Sequence, residues 1–184
     1  MPEKYKTVYA DPPWMERGGG KIKRGADRHY PLMKTADIKA LPVNELTDDN
    51  AHLYLWVTNN FLQDGLDVMK AWGFRYVTTI TWAKDRIGLG QYYRGQTEQL
   101  LFGVKGKVPY KTVDGKRQQG TTLITAPRGL HSTKPEEFRT MIEKVSYGPF
   151  VELFARRPAP GWAVWGNQVE TKVALPIQNP FPQD

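Results

Sequence analysis

The 184-residue chain contains no cysteine, which excludes disulfides, thiolate metal sites and every mechanism that needs a cysteine nucleophile. Histidine is scarce, and His29, His52 and His131 are too dispersed for a zinc motif, so no metal is expected. No run approaches the roughly 18 apolar residues of a membrane span, and Met1-Pro2-Glu3-Lys4 lacks the apolar centre of a signal peptide. The expectation is a cytoplasmic protein with no membrane partner. A nucleotide loop is also missing, because Gly18-Gly19-Gly20-Lys21 has neither the spacing nor the following Ser or Thr of a phosphate-binding loop. Acidic residues are the minority, 19 against 26 Lys and Arg for a formal charge of +7. That excess is a weak pointer to an acidic partner such as nucleic acid.

What is present starts with Val8-Tyr9-Ala10-Asp11-Pro12-Pro13-Trp14. A short apolar run reads as a buried strand of a parallel sheet, and two prolines stop it because neither can donate a ladder hydrogen bond. Asp11 then lies at the carboxyl end of a strand, where open α/β sheets place their ligand crevice. A rigid carboxylate, proline carbonyls outside any ladder and an indole face together suit a planar base held by its amino group. Residues 15–29 follow with four glycines and the basic side chains Arg17, Lys21, Lys23, Arg24, Arg28 and His29, which reads as a basic loop beside that crevice.

Thr35 is the expected N-cap of a short helix that ends before Pro42. Residues 51–57 are a continuous apolar strand, with Thr58 or Asn59 capping a helix to about Trp72 that Gly73 closes. Another strand over 74–83 completes a βαβ unit and implies a right-handed crossover in a largely parallel sheet. Residues 84–96 read as loop, 97–104 as strand, and 105–120 as a second basic loop carrying a turn at Asp114-Gly115. Both basic loops are expected to flank one crevice and meet phosphate. A strand over 121–125 precedes Thr133-Lys134-Pro135-Glu136, which has capping-box spacing before a helix with Phe138, Met141, Ile142 and Val145 on its apolar face. Strands over 150–155 and 162–165 come last. One domain over 1–174 and an irregular proline-bearing tail over 175–184 are expected.

A second constellation lies near the end: Glu152-Leu153-Phe154-Ala155-Arg156 and Trp165-Gly166-Asn167-Gln168. A glutamate inside an apolar strand is costly unless paired, and two amides plus a guanidinium suit a ribose diol and a carboxylate. Taken alone, the group also reads as a Glu–Arg pair and a polar turn.

With Asp11-Pro12-Pro13-Trp14 first, His131-Ser132-Thr133-Lys134-Pro135 next and the Glu152–Gln168 group last, the chain resembles the MT-A70-like family of N6-adenine methyltransferases. That family includes the catalytic subunit acting on eukaryotic mRNA and many bacterial and phage DNA enzymes. The resemblance covers residue 5 to about 170. It implies an α/β, Rossmann-like class I methyltransferase fold, mostly parallel, with permuted motif order: catalytic strand first, cofactor strands last. It implies S-adenosylmethionine as cofactor, with Asp11, Pro12, Pro13 and Trp14 catalytic. Cofactor contacts would come from Asp11, Lys134, Glu152, Arg156, Asn167 and Gln168, and substrate contacts from Trp14, Tyr30 and Glu98. Lys21, Lys23 and Arg24 of the basic loop join the substrate set. Arg157-Pro158-Ala159-Pro160 departs from the eukaryotic His-Asn pattern, so one ribose contact is not carried over. Methylation at carbon 5 of cytosine is excluded with the thiol, and methylation of the cytosine amine is disfavoured by Asp at position 11. Compactness favours DNA over RNA, an inactive nucleic-acid-binding subunit is the rival reading, and a homodimer or a partner subunit stays open.

Overall fold

The computed structural model describes residues 3–15, 32–130, 133–167 and 169–170. In chain order they form β1 (Tyr5–Ala10), α1 (Thr35–Lys39), α2 (Val43–Leu46), β2 (Thr47–Val57), a 3-10 turn (Asn59–Phe61), α3 (Leu62–Ala71), β3 (Arg75–Lys84), β4 (Thr97–Lys105), β5 (Thr112–Val113), β6 (Lys116–Arg117), β7 (Leu123–Ala126), α4 (Glu136–Val145), β8 (Phe150–Leu153) and β9 (Trp162–Trp165). Seven strands make one sheet in the order β7-β3-β4-β2-β1-β8-β9. Every neighbouring pair is parallel except the two that involve β4, which runs against β2 and β3. The α/β, mostly parallel expectation holds. The βαβ unit from β2 through α3 to β3 is there too, with β4 inserted between its two strands.

The continuous apolar runs follow from burial on both faces. In β1 and β2, Val8, Ala10, Leu53, Leu55 and Val57 point into one core with Ile38 of α1 and Val68 and Met69 of α3. Alternate residues Tyr9, Tyr54 and Trp56 point into the other, with Phe138 and Ile142 of α4. Gly65 lets α3 lie close on the sheet, since a Cβ there would come 2.3 Å from Val57 Cγ1. Gly73 takes a φ of 90° after α3, as its place at a helix end requires. The Asp114-Gly115 turn joins β5 to antiparallel β6 with φ values of 50° and 72°, the left-handed pair a two-residue hairpin needs. No helix among the described residues is long and apolar enough to cross a membrane.

Several local expectations are corrected. Thr35 is the first residue of α1 and not its cap, because Lys34 holds the extended cap conformation. Thr58 precedes the 3-10 turn without a side-chain cap. No capping box opens α4: Pro135 takes the cap position, and the Thr133 hydroxyl donates back to the Leu130 carbonyl at 2.6 Å. The second basic loop does not flank the crevice where it begins. Antiparallel β4 delivers it to the opposite edge of the sheet, where the Lys105 ammonium bonds Thr47 Oγ1 at 2.9 Å and Lys111 bonds the Glu143 and Ser146 carbonyls behind α4. The first basic loop, with Lys21, Lys23 and Arg24, and the tail over 175–184 lie outside the described residues.

Beneath α4, His52 Nδ1 and Tyr54 OH both meet Ser146 Oγ at 2.7 Å. Burial lowers His52 from 6.5 to about 4. The folded protein therefore keeps this ring neutral while the unfolded chain protonates it, so stability is full above pH 6.5 and declines as the pH falls toward 4. This histidine alone should remove about 2 kcal/mol of stability by about pH 5. Urea unfolding at near-neutral pH and at about pH 5 should show His52→Gln losing less than the wild type; equal losses would clear His52.

Candidate active site

The carboxyl edge of the sheet is built by chain ends that the topology brings together. β1 stops at Ala10 because Pro12 and Pro13 supply no donor, and the following amides turn back onto the proline carbonyls. Trp14 N–H donates to Pro12 O and Met33 N–H to Pro13 O, both at 2.9 Å. The proline carbonyls are therefore not idle, although each oxygen keeps a second lone pair. Trp14 is packed into the core. Its ring stacks on Phe61 at 5.7 Å, its indole N–H donates to Trp56 O at 2.9 Å, and it is 9% exposed. These contacts anchor the turn to the core and leave little of the ring exposed.

Asp11 projects beside Lys134, which approaches on the segment leading into α4. The Lys134 ammonium lies 3.4 Å from Asp11 Oδ2 and 3.2 Å from Glu98 Oε1, and 5.3 Å from the Trp56 ring centre. Lys84, the last residue of β3, holds the other Glu98 oxygen at 3.3 Å. Two carboxylates and two ammoniums thus form one largely buried chain of charges. Burial pushes the Asp11 carboxyl above its ordinary value, and Lys134 offsets this only in part. For Glu98 burial also acts upward, but Lys134 and Lys84 outweigh it and hold the group below the usual range. Burial opposes the charge on Lys134, yet Asp11 and Glu98 overcome it and raise its pKa.

On the other side of Asp11 a pocket is lined by Tyr9, Lys134, Arg139, Glu152, Phe154 and Arg156. Glu152 does have a partner, as a carboxylate in an apolar strand must, but it is Arg139 of α4 at 2.6 Å. Arg139 is 8% exposed and also lies 3.2 Å from Glu136 and 4.7 Å from the Trp162 ring centre. Its Nη1 is buried and has no hydrogen-bond partner among the described residues. Sequence reading missed both Arg139 and Lys84. The signal for Arg139 was a cation three residues before Ile142, on the inner face of an amphipathic helix.

Phe154 closes β8 with a φ of 61°, uncommon for a residue with a side chain. That bend and Gly161 (φ 77°) bracket an unusually short crossover, residues 154–161, between two parallel strands. Ala155 N–H then reaches Trp165 O at 2.9 Å, and a Cβ on Gly166 would come 2.4 Å from Ala155 O. Arg156 and the exposed Asn167 consequently lie on neighbouring turns at the same edge. The structure thus brings Asp11, Glu98, Lys134, Glu152 and Arg156 to one crevice with Asn167 nearby. Tyr30, His131 and Gln168 are outside the described residues.

Because Lys134 is the common counter-ion, Lys134→Met should raise the protonation midpoints of both Asp11 and Glu98 in a carboxyl-carbon NMR titration. An unmoved Asp11 midpoint would show the two groups to be uncoupled.

A family model described as MT-A70 matches residues 5–168. The Type II methyltransferase M.MunI of Mycoplasma sp is 31% identical, over 99% of this chain and 85% of the relative. The human N(6)-adenosine-methyltransferase catalytic subunit METTL3 is 31% identical over 91% of this chain, which spans only 28% of that protein. The human N(6)-adenine-specific methyltransferase METTL4 is 26% identical over 90% of this chain and 37% of its own length. With that match running from the first strand through the last, the chain belongs to the MT-A70 family.

Proposed function

We propose that this protein transfers a methyl group from S-adenosylmethionine to the 6-amino group of adenine in nucleic acid, DNA in preference to RNA. The observation that carries the reading is the Asp11 carboxylate at the tip of β1, sharing a pocket with Lys134, Glu152 and Arg156. The names of the relatives agree on adenine or adenosine nitrogen 6 where they specify a position. The preference for DNA follows the likeness to a Type II methyltransferase, 31% identical over 99% of this chain.

The donor set fits the cofactor. Lys134 offers a cation to an amino-acid carboxylate, Glu152 offers acceptors to a ribose diol, and Arg156 and Asn167 add donors at the same edge. When bound, S-adenosylmethionine supplies a methyl group made electrophilic by its sulfonium. The chain's own work is on the nucleophile. An adenine amine is weakly nucleophilic because its lone pair is delocalised into the ring. Asp11 and the remaining lone pair of Pro12 O accept its two N–H bonds, which draws the nitrogen toward tetrahedral geometry and frees the lone pair. Asp11 does this only when ionised, and its raised pKa places the acid limb of activity above the pH of an ordinary aspartate. The buried Lys134 ammonium beside it favours the charged carboxylate.

Digestion and mass spectrometry of DNA and RNA incubated with labelled cofactor should find N6-methyladenine. Asp11→Ala should lose at least about a hundredfold in turnover while calorimetry still detects cofactor binding. Wild-type turnover in Asp11→Ala would remove the residue from the mechanism, and a wild-type chain with no cofactor heat would mark it as an inactive binding subunit.

A further inference from the structure

We propose that Tyr92 and Tyr93, at the tip of the loop joining β3 to β4, form a stacking platform for bases of the nucleic-acid strand presented to the crevice. The inference rests on the methyltransferase reading of that crevice and adds a substrate-binding site outside it.

Both tyrosines are almost wholly in water, at 94% and 91% exposure, and Leu89 nearby is 71% exposed. Large aromatic side chains at a tip bring no packing to the fold, and tyrosine loses little conformational freedom when it makes contact. The loop is nevertheless a built one. Lys84 N–H bonds Gln96 O at 2.8 Å across its base, Gly88 N–H bonds Gly95 O at 2.6 Å, and Gly95 N–H bonds Leu89 O at 3.1 Å. Arg94 Nε donates to Gly88 O at 3.0 Å. A Cβ on Gly90 would come 1.9 Å from Tyr93 O, so the tip closes tightly and only glycine fits there.

Position and charge identify the occupant. The loop leaves the sheet at Lys84 and returns at Thr97, immediately before Glu98, and these two charged residues belong to the ion chain at Asp11. The tyrosines therefore rise from the rim of the crevice. Arg86 and Arg94 flank them in sequence, and the Arg128 N–H bonds Asp85 Oδ1 at 2.9 Å, bringing a third arginine to the base of the loop. Aromatic faces among guanidinium groups complement a single strand, whose bases stack and whose phosphates pair with cations. Trp14, stacked on Phe61 and 9% exposed, presents little ring surface of its own, whereas Tyr92 and Tyr93 present nearly all of theirs.

The test uses the full chain and a fluorescent, adenine-containing single-stranded oligonucleotide, in DNA and RNA forms, with anisotropy read over a salt series. Tyr92→Ala/Tyr93→Ala should weaken binding by about tenfold or more at every salt concentration, with the salt slope and the heat of S-adenosylmethionine binding unchanged. Tyr92→Phe/Tyr93→Phe should stay within about twofold of wild type, since the ring faces are kept. Wild-type affinity in the alanine variant overturns the proposal, as does a wild-type chain that binds neither oligonucleotide. A dimer that becomes monomeric in the alanine variant, with oligonucleotide affinity intact, would assign the tip to protein contact and overturn it equally. Tyrosine-dependent binding without methyl transfer would leave the platform standing and defeat the methyltransferase reading; methyl transfer with tyrosine-independent affinity would do the reverse.

Discussion

One buried ammonium organises the carboxyl edge of this sheet. Lys134 arrives some 120 residues after the first strand, and its charge would be intolerable in that position without opposite charges around it. Asp11 and Glu98 supply them, and the Trp56 ring lies within cation–π reach. The same indole donates its N–H to Tyr9 OH at 2.8 Å, while the Trp56 carbonyl receives Trp14. β1, β2, β4 and the entry to α4 are thereby fastened at one point, and each contributes a polar group facing the crevice or an aromatic supporting it.

The two carboxylates bound to Lys134 are not equivalent, and the difference has a structural origin. Glu98 has two ammonium partners, one on each oxygen, and stays readily ionised. Asp11 lies close to the single shared ammonium and remains harder to ionise than an exposed aspartate. Glu98 thus fixes Lys134, leaving Asp11 as the less firmly paired carboxylate of the set. Such a group destabilises the fold at neutral pH, because the unfolded chain ionises it more easily. The left-handed backbone at Phe154 adds a second local cost beside the same pocket. Both are sustained by a sheet covered on its two faces, which gives the edge little room to relax.

Much of the fold was legible because its signals are local. Residues 51–57 read as a strand since both faces of β2 are buried, Gly73 and Asp114-Gly115 announced positive φ, and the prolines after Asp11 marked the end of β1. The family resemblance reached Asp11, Lys134, Glu152 and Arg156, which the folded chain gathers around one pocket. Illegible features depended on direction or on distant partners. That β4 runs backwards is invisible in its composition, and it sends residues 105–120 away from the crevice. Nothing in the neighbourhood of Trp14 foretells its packing on Phe61, and the arginine that pairs Glu152 is hidden because it sits on a helix outside the Glu152–Arg156 segment. Thr133 had cap spacing, but the intervening Pro135 took the cap position itself.

The ladder closed between Lys84 and Gln96 has a consequence for how the molecule can diversify. Glu98 is registered against Trp82 beneath that closure, and both Glu98 and Lys84 take their positions from the sheet. Residues between them can be lengthened, shortened or exchanged without transmitting a shift to the charged groups below. The segment is in effect a cassette mounted on a fixed base, so its tip can vary while the charged groups underneath stay in register.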